Sequence, residues 1–275
     1  MRYGLITGIP RSGTTLAATI LDCYNDVVCL SEPPDHANIF DLSDSADDYA
    51  DRLQRWMADR HSQICKNGEF LDRRNSHGQT ITNYFSANRT KQRVAIDTLT
   101  TVVRSGLSEQ FFLCAKHNGL YAGVLPQLLR SGHFKVVSIV RHPVPVVASW
   151  QSLKLPISNG RLPAAERYWP AMQGLTGSER PLVEKQLLIF ELLCRRFLEY
   201  GSDLLLLRYE DLVRRPEKIG EAFGLITPAE LKERLLDLVK PHDGSEYDQY
   251  IIDSLAKLAA AGQMEATASL YPKCV

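Results

Sequence analysis

Short apolar runs alternate with stretches of helical spacing along most of the chain. Tyr3–Thr7 is apolar without clean alternation, the pattern of a central parallel strand covered on both faces. After Gly8-Ile9-Pro10-Arg11-Ser12-Gly13, apolar residues recur at Leu16, Ile20, Leu21 and Tyr24, one side of a helix opening at Thr14 or Thr15. Val27–Leu30 predicts a second strand, stopped at Ser31-Glu32-Pro33-Pro34. Residues 41–63 predict an amphipathic helix led by Asp44, Asp47, Asp48 and Asp51, a solvated acidic face suited to a helix start. Residues 66–93 are polar and without period, which predicts a mobile insertion or lid; its Arg73, Arg74, Arg89, Lys91 and Arg93 read as scattered surface charges, with contact to an anionic substrate as the alternative. Strand signals return at Val94–Asp97, Phe111–Ala115, Lys135–Val140 and Asp203–Leu207. Helical patterns lie between and beyond them, over Leu120–Leu129, from Pro143, over Glu184–Tyr200, and from Thr227-Pro228 to Gly262. Such alternation predicts an α/β fold with a central, mostly parallel sheet and helical insertions: one domain over residues 1–275, helical from 216 to its end.

Composition narrows this without changing it. With 275 residues, 44% of them hydrophobic and 23% charged, the chain is long enough to bury a large single core. Thirty-two basic residues balance thirty-two acidic ones, which excludes a general nucleic-acid binder and a polybasic membrane-surface protein. Any anion site is therefore local. The six cysteines form no C-x-x-C pair and sit mostly in apolar runs, so buried free thiols in a reducing cytoplasm are expected. The first apolar stretch is cut by Pro10 and Arg11, and no later run approaches the ~18 residues of a membrane span.

The candidate chemistry gathers at strand ends. From Gly8 to Thr15 the spacing is that of the phosphate loop G-x-x-x-x-G-K-[ST], which makes the expected fold a P-loop-type three-layer α/β/α sandwich. Thr14 occupies the lysine position, and the nearest cation is Arg11, inside the loop. Arg11, Ser12, Thr14 and Thr15 each offer a phosphate-directed donor, and Gly13 lets the backbone approach a ligand. Glu32, Lys116 and Arg141 follow three other strands, at the end where open α/β sheets bind ligands. Ser149, about two turns into the helix after Arg141, can reach the same oxyanion as that arginine.

Three segments together resemble the PAPS-dependent sulfotransferases: Pro10-Arg11-Ser12-Gly13-Thr14-Thr15, their 5′-phosphosulfate loop; Arg141 with Ser149, their 3′-phosphate strand and helix; and Arg208-Tyr209-Glu210-Asp211-Leu212, a later nucleotide-contacting segment. Within that family the run from Arg11 through Leu21-Asp22 to Cys29 and Glu32 is most similar to tyrosylprotein sulfotransferases and to bacterial enzymes. The resemblance implies PAPS as sulfuryl donor, Glu32 as catalytic base, Lys116 as support for the leaving group, Tyr209 at the nucleotide, and no required metal. It leaves the acceptor open among carbohydrate, lipid, metabolite and peptide hydroxyls or amines, because Leu16 replaces a tryptophan common in the cytosolic branch and Lys116-His117 lacks that branch's Lys-x-His spacing. His117 and His36 are the alternative bases. A P-loop kinase or NTPase is the competing reading; it wants a lysine where Thr14 stands and a magnesium-binding aspartate, for which Asp97 is the candidate. A non-catalytic nucleotide-binding relative is the third.

Overall fold

A computed structural model describes residues 3–85, 95, 97–239 and 248–273. The chain runs β1 (Tyr3–Gly8), α1 (Thr14–Asp22), β2 (Val27–Ser31), α2 (Pro34–Leu42), α3 (Ala46–Asn67), β3 (Glu69–Arg74), β4 (Thr98–Val103), β5 (Phe112–Lys116), α4 (Asn118–Gly123), α5 (Leu125–Arg130), β6 (Phe134–Val140) and α6 (Pro143–Gln151). A 3-10 turn at Pro156–Asn159 follows, then α7 (Pro163–Glu166), α8 (Pro170–Thr176), α9 (Leu182–Glu199), β7 (Leu205–Arg208), α10 (Tyr209–Arg214), α11 (Lys218–Phe223), α12 (Ala229–Leu238), α13 (Gln249–Ala260) and α14 (Glu265–Leu270).

Five strands pair in the order β2-β5-β1-β6-β7, every pair parallel. Period-two geometry sends successive side chains to opposite faces. Leu5, Leu113 and Val136 accordingly enter a core with helices α3 to α9, α13 and α14, while Ile6, Cys114 and Val137 enter a second core with α1 and α10 to α12. Both faces are buried, hence the continuous apolar strands. The sheet and its two helical layers are the three-layer sandwich that the sequence predicts.

Several boundaries differ from the sequence pattern, each for a local reason. The 41–63 helix is two, because Ser43 ends α2 and Ser45 caps α3 by accepting the Asp48 N–H. The Leu120–Leu129 helix breaks at Val124, one residue before the segment carrying Pro126. The last sheet strand covers Leu205–Arg208, later than Asp203–Leu207, since Asp203 and Leu204 close the turn after α9 on the Tyr200 carbonyl.

The largest correction is the polar insertion. Its start completes α3, and Glu69–Arg74 forms an antiparallel pair with Thr98–Val103 instead of an irregular lid. Strand β4 covers Thr98–Val103; of the strand expected at Val94–Asp97, Val94 and Ile96 lie outside the described residues, as do Arg89, Lys91 and Arg93. Arg73 and Arg74 are not scattered surface charges either. Arg74 is buried between Asp22 at 2.9 Å and Asp72 at 3.0 Å, and Arg73 pairs with Asp97 at 2.7 Å. Because Asp22 closes α1 and also binds Arg104 at 2.8 Å, buried charge fastens the β3–β4 pair to that helix.

Candidate functional site

Each strand of the parallel sheet delivers polar chemistry to one rim: β1 leads into the 9–13 loop, β2 into Glu32, β5 ends at Lys116, β6 precedes Arg141, and β7 precedes Tyr209. These groups line a cavity of about 1500 Å³.

The loop is held by its contacts to β6. A Cβ on Gly8 would stand 2.3 Å from the Ile139 carbonyl, so only glycine permits this approach. That carbonyl accepts the Ile9 N–H at 3.0 Å and the Ser12 hydroxyl at 2.7 Å. Ser12 is fully buried, and its hydroxyl is directed to β6, which corrects its sequence-based role as a phosphate-directed side chain. Gly13 is left-handed at φ 95, and a Cβ there would meet the Tyr209 ring at 2.4 Å. The tyrosine therefore packs on the loop backbone. Helix α1 begins without an acidic residue or a side-chain cap, so the cavity beside Gly13, Thr14 and Thr15 receives its positive dipole end.

Arg11, also left-handed at φ 73, donates from Nε to Ser149 Oγ at 3.1 Å and from Nη2 to Asn83 Oδ1 at 2.9 Å. Its guanidinium lies 5.1 Å from the Phe85 ring centroid. Ser149, two turns into α6, still has its own hydroxyl hydrogen to donate. The Arg141 guanidinium carbon stands 4.3 Å from the Tyr209 ring centroid, a cation–π contact beside the loop. The structure thus brings Arg11, Thr14, Thr15, Arg141, Ser149 and Tyr209 to one cavity.

At another part of that cavity Lys116, 1% exposed, places Nζ 2.6 Å from Glu32 Oε1 and 5.0 Å from the Tyr84 ring centroid. The Glu32 N–H continues the β2–β5 ladder onto the Lys116 carbonyl at 2.9 Å, but its φ of 49 turns the chain out of the strand. A left-handed glutamate costs on the order of 1–3 kcal/mol and persists only when neighbours over-determine it. Burial by itself pushes the Glu32 carboxyl up; the Lys116 ammonium, followed by His117 and Arg73, outweighs burial and holds it at about 2.

The histidines separate. Burial pushes His117 down to about 4 against the pull of Glu32, and its Nδ1 accepts the Leu120 N–H at 3.4 Å as the cap of α4. At neutral pH it is an uncharged imidazole on the cavity wall. His36 is fully buried, with Nδ1 3.0 Å from the Tyr121 hydroxyl and its ring edge-on to Trp56, and it lies outside the cavity lining. It is therefore set aside as a base. Asp97, the magnesium candidate of the kinase reading, is committed to Arg73. Sequence reasoning missed Asn83, Tyr84 and Phe85; two adjacent aromatics in an otherwise polar run were the available signal.

A sequence model described as the sulfotransferase family matches residues 5–222. No curated protein sequence matches the chain. Among solved structures, a sulfotransferase from Alicyclobacillus acidocaldarius is similar at 12% identity and TM-score 0.46, covering 98% of this chain and 95% of that one. STF1 from Mycobacterium tuberculosis H37Rv shows 13% identity and TM-score 0.41, and STF9 from Mycobacterium avium 12% and 0.41; each comparison covers 94% of this chain and 76% of the other.

Proposed function

The chain belongs to the sulfotransferase family and transfers a sulfuryl group; from that premise we propose that its donor is PAPS and that the rim described above is the active site. The observation that carries this reading is the Lys116–Glu32 ion pair in the cavity that also holds the arginine-bearing loop. Arg11, the amides at the start of α1, Thr14 and Thr15 take the 5′-phosphosulfate. Gly13 leaves room for the Tyr209 ring against the loop, and Ser12 acts through its backbone and its hold on β6. Arg141 and Ser149 take the 3′-phosphate, with Tyr209 holding the arginine by its ring face and closing the nucleotide side.

Glu32 accepts the acceptor hydroxyl's proton as the acceptor oxygen bonds to sulfur and the bridging S–O bond breaks. Lys116 donates to the bridging oxygen, where negative charge develops, so that adenosine 3′,5′-bisphosphate leaves. The two roles are coupled. Once Lys116 turns toward the donor, Glu32 loses the partner that depresses it, and burial then raises its basicity. His117 remains neutral and helps shape the wall.

The described chain acts as one sulfotransferase domain. Support comes from the C-terminal helices, with α12 packed in one core and α13 and α14 in the other. A reducing cytoplasm suits the free thiols Cys23, Cys29, Cys65, Cys114 and Cys194; Cys274 lies outside the described residues. No helix among the described residues is long and apolar enough to cross a membrane.

Two measurements test the proposal. Calorimetry is expected to show tighter binding of adenosine 3′,5′-bisphosphate than of ATP; equal affinity overturns the donor assignment. A mass-shift screen with PAPS against pooled glycans, lipids, metabolites and peptides is expected to identify an acceptor that Glu32→Gln sulfates slowly while still binding the bisphosphate. Full turnover by that variant removes Glu32 as base and moves His117 up.

A further inference from the structure

We propose that Arg73, on the inserted β3–β4 pair, is a positioning residue for sulfuryl transfer: it grips the Glu32 main chain and holds the carboxylate against Lys116. The proposal rests on the reading of Glu32 as the base. Glu32 stands one residue beyond β2 at φ 49, which a glutamate keeps only under outside constraint.

Strand β5 holds the Glu32 N–H and carboxylate through Lys116, and the rest of that constraint comes from one insertion. Asp72 Oδ1 accepts the Ser31 N–H at 2.8 Å, the Tyr84 hydroxyl donates to Ser31 Oγ, and Arg73 Nε donates to the Glu32 carbonyl at 3.3 Å. Arg73 simultaneously places Nη1 2.7 Å from Asp97, whose side chain is 8% exposed. The two bonds use adjoining nitrogens of a planar fork, which an ammonium cannot reproduce. Lys116 from β5, His117 from the cap of α4, and Arg73 and Tyr84 from the insertion are the titratable groups facing Glu32. Of these side chains, Arg73 reaches its main chain.

The grip has a firm origin. Asp72 pairs with Arg74, which pairs with Asp22 at the close of α1. The helix that begins at the phosphosulfate loop thus ends on the carboxylate anchoring the insertion. This fixes the relation of Glu32 to the loop without using an acceptor contact. A segment that looks like a lid in sequence becomes part of the scaffold.

The test is Arg73→Met combined with Asp97→Asn, which removes the fork without leaving a bare buried carboxylate. A crystal structure of this variant is expected to show Glu32 out of the left-handed region and the Lys116–Glu32 contact opened. With the acceptor from the screen, kcat per bisphosphate-binding site falls roughly 10- to 100-fold, the scale of a misplaced catalytic group. Bisphosphate affinity and one-to-one stoichiometry stay as in the wild type, which separates positioning from loss of folded protein. Arg73→Lys, keeping the charge without the fork, recovers only part of the rate.

Retention of the Glu32 conformation and its Lys116 contact overturns the proposal, as does parallel loss of bisphosphate binding and turnover. Glu32→Gln separates this inference from the one beneath it. Full turnover there overturns the base assignment and the catalytic part of Arg73 with it, whereas a slow Glu32→Gln beside an unimpaired Arg73 variant overturns Arg73 alone.

Discussion

Replacing Lys116 by methionine keeps most of the buried side-chain volume and removes the ammonium 2.6 Å from Glu32. In the wild type the Glu32 carboxyl is held at about 2, against an ordinary 4.5. A difference of that size corresponds to at most about 3 kcal/mol of native-state stabilisation at neutral pH. The Glu32 side chain is 32% exposed, so screening reduces the expected loss to roughly 1–2 kcal/mol. The sign follows from the direction of the shift. A depressed carboxyl stabilises the fold above its unfolded value of 4.5, and that contribution fades as pH falls toward 2. Urea unfolding should therefore show a deficit in Lys116→Met at pH 7 that shrinks by about half near pH 3. Turnover should fall by ~10²–10³-fold, the usual effect of removing one donor from developing negative charge. A deficit of equal size at both pH values refutes the electrostatic account, and unchanged kcat refutes the role given to Lys116 in the leaving step.

Gly13→Ala should cost roughly 1–3 kcal/mol for its left-handed backbone and should weaken bisphosphate binding by displacing Tyr209, as read by thermal unfolding and calorimetry; unaltered affinity counts against Tyr209 as a nucleotide contact. Arg141→Ala should lose about 1.5–3 kcal/mol of affinity for adenosine 3′,5′-bisphosphate and almost none for adenosine 5′-phosphate, whereas equal losses would place Arg141 elsewhere on the nucleotide. His117→Asn retains a side-chain acceptor for the Leu120 N–H and removes the titration. Because His117 is depressed from 6.5 to about 4, its stabilising contribution is present above 6.5 and lost as pH falls toward 4. His36 and His142 are depressed by burial in both proteins, so unfolding measured at pH 7 and pH 5 should show a larger drop in the wild type than in the asparagine variant; parallel curves refute the assigned shift.

Much of the site was legible because it is local. The loop's glycine spacing, the displaced cation at Arg11, and polar residues immediately after apolar strands are properties of neighbouring positions. Parallel pairing then required those strand ends to share a rim, so Glu32, Lys116, Arg141 and Tyr209 met in the cavity. Ser12 misled because the motif specifies residue types and not the direction of a hydroxyl; a backbone carbonyl 127 positions away decided that.

The insertion marks where sequence reasoning stopped. Glu69–Arg74 carries few of the apolar residues that announce a strand, and its partner lies at Thr98–Val103, across residues of polar character. Long-range pairing of this kind leaves little periodicity to read. Arg73 and Arg74 were indistinguishable from surface charges until Asp22, Asp72 and Asp97 came beside them. The sequence alone determined the glycine-spaced loop after β1, the parallel sheet and the residues at its rim, since these follow from hydrophobic period and turn chemistry. The tertiary structure decided which donors were already engaged, which histidine faced the cavity, and what held Glu32 in its left-handed turn, because each depends on contacts between positions that the chain keeps far apart.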